Sequence, residues 1–119
     1  MSTQAPTLSM VAGTTYRFSA AWASDDANAT PVDITGCEAT FVVATTQGMP
    51  LLSCETGSGI ELEPSQGGIS VHIRPEQTAG GVSPEWSGAR YELRLTFPNG
   101  DVFSLLRGHF QLTPGVNHG

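Results

Sequence analysis

Few side chains in this 119-residue chain are spaced for chemistry. Glu61 and Glu63 alternate with Ile60 and Leu62, so a strand would carry both carboxylates on one face. A carboxylate pair working as acid and base needs one pKa raised by burial or by a close like charge. On an exposed strand the same pair serves to discourage edge pairing. His72, His109 and His118 never form a close ligand pair, and His72 and His109 fall at outward strand positions. Asp25, Asp26 and Asp33 lack the fixed oxygen-ligand spacing of a calcium loop. Gly57-Ser58-Gly59 is not the Gly-x-Ser-x-Gly turn that presents a hydrolase serine. The expectation is a chain that is not an enzyme, with no metal, cofactor or small-molecule substrate.

Cys37 and Cys54 are the remaining reactive groups. Their strands are expected to pair about Gln47-Gly48, in a register that sets Cys54 opposite Phe41 rather than opposite Cys37. Both thiols then share the inward face as small hydrophobes. A disulfide requires the register to slip. Zinc would need a second pair or suitably spaced histidines, and neither is present.

Composition narrows the partners. There is no lysine, and five arginines (Arg17, Arg74, Arg90, Arg94, Arg107) face eleven carboxylates for a net charge of −6. Such a chain lacks the attraction to phosphate that nucleic acids and anionic membranes require. Charged residues make up 13% of the sequence, about half the usual share. No stretch approaches the roughly 18 apolar residues of a membrane span. Met1 to Gln4 carry no basic segment leading into an apolar one, so no signal peptide is expected and folding is placed in a cytoplasm. The Asn28-Ala29-Thr30 sequon then has no glycan to receive.

The elements that hold these residues read as strands. Tyr16, Phe18, Ala20 and Trp22 alternate, as do Cys37, Phe41 and Val43 with their neighbours, then Ile69, Val71 and Ile73, then Tyr91, Leu93, Leu95 and Phe97. Short runs at Thr7–Val11, Leu51–Cys54 and Ile60–Glu63 complete the set, and Pro75 to Ala79 is worth one helical turn at most. The expected fold is all-β: an antiparallel β-sandwich, Ig-like or a small barrel, of seven or eight short strands. Residues 1–6 form an N-terminal arm that is flexible or partner-dependent, 7–116 the sandwich, and 117–119 a short tail.

The last hairpin is the most explicit. Asn99-Gly100 suits a two-residue type I′ turn, which pairs Phe97 with Val102, Leu95 with Ser104, Leu93 with Leu106 and Tyr91 with Gly108. That register turns Phe103 and Leu105 outward beside Arg107 and His109. An outward apolar pair is either absorbed by a bulge or is a docking surface. Trp86, in a loop of small residues, is either a lid over the sandwich end or an interface anchor. The candidate interface is therefore Phe103, Leu105, Arg107, His109 and Trp86.

A run of motifs follows the same order as these elements. Pro31-Val32-Asp33-Ile34-Thr35-Gly36 leads into a strand, and Gly68 to Ile73 runs into Pro75-Glu76-Gln77-Thr78. Tyr91 to Leu95 then precedes Asn99-Gly100-Asp101-Val102, Leu105 to Gly108 and a closing Thr113-Pro114-Gly115-Val116. Over residues 8–116 this resembles the small β-sandwich virion proteins of tailed bacteriophages and prophages, including N-terminal modules of upper-baseplate and fibre-attachment proteins. The resemblance implies a non-enzymatic structural role in a virion assembled in the bacterial host cytoplasm. Its partners would be other virion proteins and further copies of itself. Proteins of that kind with receptor-binding heads carry a long C-terminal stalk, and this sequence stops at Gly119, so an adaptor at the tail tip, baseplate or tail-fibre junction is expected. The alternatives are a head decoration or head–tail connector protein, and a carbohydrate-binding sandwich built on an exposed aromatic platform of Trp22, Trp86 and Tyr16.

Overall fold

The computed structural model describes residues 7–23, 30–79 and 84–114. The arm at 1–6, Asp25, Asp26, the sequon asparagine, His118 and the tail at 117–119 lie outside the described residues.

Eight strands form, in chain order: β1 (Leu8–Val11), β2 (Tyr16–Ala21), β3 (Glu38–Ala44), β4 (Pro50–Thr56), β5 (Gly59–Glu63), β6 (Gly68–Ile73), β7 (Arg90–Thr96) and β8 (Val102–Thr113). They make one continuous ladder in the order β1-β8-β7-β3-β4-β5-β6-β2 that wraps into a nearly closed barrel or sandwich. Pairing is antiparallel except at two places. One is β1 on β8, the other a two-pair link between β4 and β5. That link is where the chain turns from one layer to the other, through Thr56-Gly57-Ser58.

The period-two pattern explains the core. Ala39, Phe41 and Val43 from β3 meet Ile69, Val71 and Ile73 from β6 and Tyr91, Leu93 and Leu95 from β7, all buried. Residues between them face solvent, because successive side chains of a strand alternate. Ile34 is also fully buried, although it lies in a loop. Its N–H donates to the Pro64 carbonyl (3.0 Å), and its carbonyl accepts from Cys37 N–H (3.0 Å). Asp33 accepts from the Thr35 N–H at 2.9 Å, closing the turn behind it. Gly36 then takes a φ of +82°, open to glycine at little cost. The Pro31–Gly36 motif is thus a plugged turn feeding β3.

Two hairpins share one design that differs from the expected turn. The Phe97 N–H donates to Asp101 O (2.8 Å), and the Gly100 N–H to Phe97 O (2.9 Å). The loop is therefore the three residues Pro98, Asn99 and Gly100, with Gly100 at φ +96°. Proline's fixed φ suits the first corner of a type I turn, and glycine closes it in the left-handed region. Thr45 and Met49 repeat the pattern between β3 and β4 around Thr46, Gln47 and Gly48. In both hairpins the extra loop residue shifts the register by one, and a bulge shifts it back.

The consequences for the last hairpin are corrections. Val102 pairs with Thr96 and Phe103 with Leu95, where Phe97–Val102 and Leu95–Ser104 were expected. Past the bulge at Leu105 the expected pairs Leu93–Leu106 and Tyr91–Gly108 hold. Phe41 opposite Cys54 also holds, and both cysteines are buried free thiols.

Candidate functional site

The outer face of β3, β7 and β8 carries the chain's one concentration of cations among the described residues. Because Phe41, Val43, Tyr91 and Leu93 point inward, their neighbours form an outward grid. Ala44, Arg90 and His109 make one cross-strand row; Val42, Glu92 and Arg107 make the next; Thr40, Arg94 and Ser104 make the third. Three of the five arginines thus share one surface with a histidine, in a chain of net charge −6. They line a shallow depression of about 880 Å³ together with Thr40, Val42 and Glu92. Glu92 Oε1 lies 2.9 Å from Arg94 Nε. No ion pair among the described residues involves Arg90 or Arg107. Glu55 of β4, opposite Thr40, and Glu38 of β3 stand further along the same face, while Glu61 and Glu63 lie exposed on β5.

The five candidate interface residues do not form one patch. Arg107 and His109 are exposed on the basic face, as expected. Phe103 is 42% exposed, yet its ring lies 5.5 Å from both Trp22 and Phe97 (centroid to centroid). Together these three rings cap the hairpin end of the sandwich. Leu105 is the bulge residue and packs, half-buried, against the core. The bulge therefore absorbs it, and its outward docking role is corrected. Trp86 is 9% exposed and stacks 6.0 Å from Phe110 at the opposite end. It is a lid and presents no anchor. A coplanar aromatic platform of Trp22, Trp86 and Tyr16 is not formed. Trp22 meets Phe97 edge-on at 70°, while Tyr16 is half-buried and tilts against Phe18.

Nothing here assembles a reacting group. Burial pushes both thiols above the ordinary cysteine value, with Asp33 adding to the effect at Cys37. Such thiols are poor nucleophiles at neutral pH. No cluster of three metal-ligating side chains occurs among the described residues.

Sequence reasoning missed Arg90 and Arg94 as members of this face. The signal was present: given Tyr91 opposite Gly108, Arg90 must neighbour His109 and Glu92 must neighbour Arg107. A second feature was not legible. β1 covers only Phe110–Thr113 of the twelve-residue β8, so the outer edge of Val102–His109 has no partner strand among the described residues.

No protein-family model matches the chain, and no curated protein matches it by sequence. Solved structures match in number, with 120 chains, so the shape is shared too widely to carry a function. A chain of chicken TCR matches 96% of this chain over 56% of its own length, at 10% identity and a TM-score of 0.58. This chain thus spans little more than half the length of that structure. The likeness establishes an Ig-like β fold and nothing finer. Even the hallmark disulfide and tryptophan of antibody domains have no counterpart. Phe18, Phe41 and Tyr91 form an aromatic row in this chain, with ring centroids 5.3 and 5.7 Å apart.

Proposed function

We propose that the chain is a non-enzymatic structural protein of a tailed-phage virion, an adaptor at the tail tip, baseplate or fibre junction. The reading starts from the resemblance carried by Pro31–Gly36, Gly68–Thr78 and Tyr91–Val116. The observation that supports it most is β8, one strand that combines an outer edge unpaired among the described residues with the outward Arg107 and His109. An adaptor works by burying such surface against neighbours, and it has no need of a cleft with convergent ionisable groups. The aromatic placement gives the carbohydrate-binding reading no platform to rest on. A head decoration or connector protein would use the same surface, so the position within the particle belongs to the experiment.

Deleting the gene in the bacterium that encodes it, then viewing induced particles by electron microscopy, tests the proposal. Particles lacking a tail-tip, baseplate or fibre component, restored by the wild-type gene, are the expected result. Complete, infectious particles formed without the chain would refute it.

A further inference from the structure

The open edge of β8 and the basic face beside it make one composite feature, because the same two residues belong to both. Phe110 N–H donates to the Ala89 carbonyl (2.9 Å), which turns the main chain of Phe110 and Gly108 towards β7. On the other side, Thr113 O accepts from Ala12 N–H (2.8 Å), which turns Thr113 and Gln111 towards β1. Main-chain groups of a strand alternate, so Arg107 and the N–H of His109 continue the β1-facing row beyond Leu8, whose own N–H meets the His109 carbonyl in the parallel register. Nearer the turn, Asp101 O bonds to Phe97 N–H; Ser104 and Val102 therefore also aim outward. An edge of this length is normally blunted with lysine, proline or an inward charge. Between Val102 and His109 there is neither lysine nor proline.

We propose that the Val102–His109 edge is a β-addition site for an extended, acidic segment of another protein. A strand added there donates and accepts along the main chain of β8, just as β1 does in parallel at Phe110–Thr113. Its outward side chains then stand beside Arg107 and His109, with Arg90 one strand further in. Carboxylates at alternate positions of the incoming segment complete the charge that this face leaves unpaired. The first six residues of the chain itself, Met1 to Pro6, contain no carboxylate to supply that charge. The proposal goes beyond the virion reading and does not depend on it, since the binding chemistry is the same for any neighbour.

The test is a titration of the full-length, isotope-labelled chain followed by NMR. The probes are capped heptapeptides that alternate valine with glutamate, glutamine or lysine. The glutamate peptide is expected to shift the amides of Arg107 and His109 and to bind at least tenfold tighter than the lysine peptide. Arg107→Glu should reverse that order. His109→Pro should abolish binding of all three while leaving the remaining spectrum folded, because that N–H faces away from β7. Should His109→Pro misfold, glutamate peptides N-methylated at alternate amides replace it and are expected not to bind. Equal affinity for the glutamate and lysine peptides overturns the proposal, as does undiminished binding after either main-chain block. Slow exchange of the Arg107 and His109 amides in the free chain also overturns it. If that protection is independent of concentration, the arm occupies the edge; if it grows with concentration, a second copy does.

Discussion

Cys37 and Cys54 show how little of this molecule is set up to react. Each thiol is buried, and burial alone raises its pKa. Tyr16 and Tyr91 are raised in the same direction and for the same first reason. Each is an acid whose neutral form the fold favours. Its contribution is complete below the unfolded-state pKa and is lost as pH rises past it. With unperturbed thiols near pH ~8.5 and phenols near ~10, the urea midpoint should be flat from about pH 6 to 8. It should then fall from about pH 8.5 to 10.5. Cys54→Ala should blunt the early part of that fall and leave the later part; a flat midpoint throughout would contradict the burial argument. Gly67 makes a second case at this scale. It adopts φ +64°, and an added Cβ would meet the carbonyl oxygens of Trp22 and Val32. The Trp22 oxygen is fixed, because it accepts from Val32 N–H and Trp22 N–H donates to Gly67 O. Gly67→Ala is expected to cost at least about 2 kcal/mol in a denaturation series. The open turn glycine Gly13, whose added Cβ meets nothing, should cost less on substitution by alanine.

The elements were readable where burial alone decides and misread where turn geometry does. Alternating apolar residues located β2, β3, β6 and β7, because residues such as Phe41, Ile69, Val71 and Leu93 leave no second way to face a core. Asn99-Gly100 suggested a two-residue loop, but Pro98 holds the first corner of a longer one. The two loops differ by one residue, and the bulge at Leu105 restores the register. That compensation depends on tertiary packing of Leu105 against the core, which no local pattern records. A variant separates the two readings. Leu105→Arg places a charge against that packing and should lose about 1–3 kcal/mol of stability. Arg107→Glu, two residues along on an exposed face, should change stability by less than ~0.5 kcal/mol. Chemical denaturation of both decides it: a fully stable Leu105→Arg would return that side chain to the surface. The open edge of β8 was invisible in the sequence for a related reason. Among the described residues it exists because β1 begins only at Leu8, opposite Phe110, and strand pairing between distant segments is not a local property.

Across the whole molecule, charge is unevenly spread. Arg90, Arg94, Arg107 and His109 gather at the β7–β8 side of one face, while Glu38 and Glu55 stand further along it on β3 and β4, and Glu61 and Glu63 lie on β5. A protein docked on such a surface gains orientation from that unevenness, and salt weakens the gain once charges are more than about 10 Å apart. Both ends of the sandwich are closed by aromatic side chains, Trp86 on Phe110 at one and Trp22, Phe97 and Phe103 at the other. The account therefore rests on the chain being a permanent component of a particle. Quantitative mass spectrometry of density-purified particles, from cells that encode the chain, measures this directly. The account predicts a fixed whole-number ratio of this chain to the major tail protein, unchanged by repeated purification. Recovery of the chain only in the soluble fraction, with none in the particles, would contradict it.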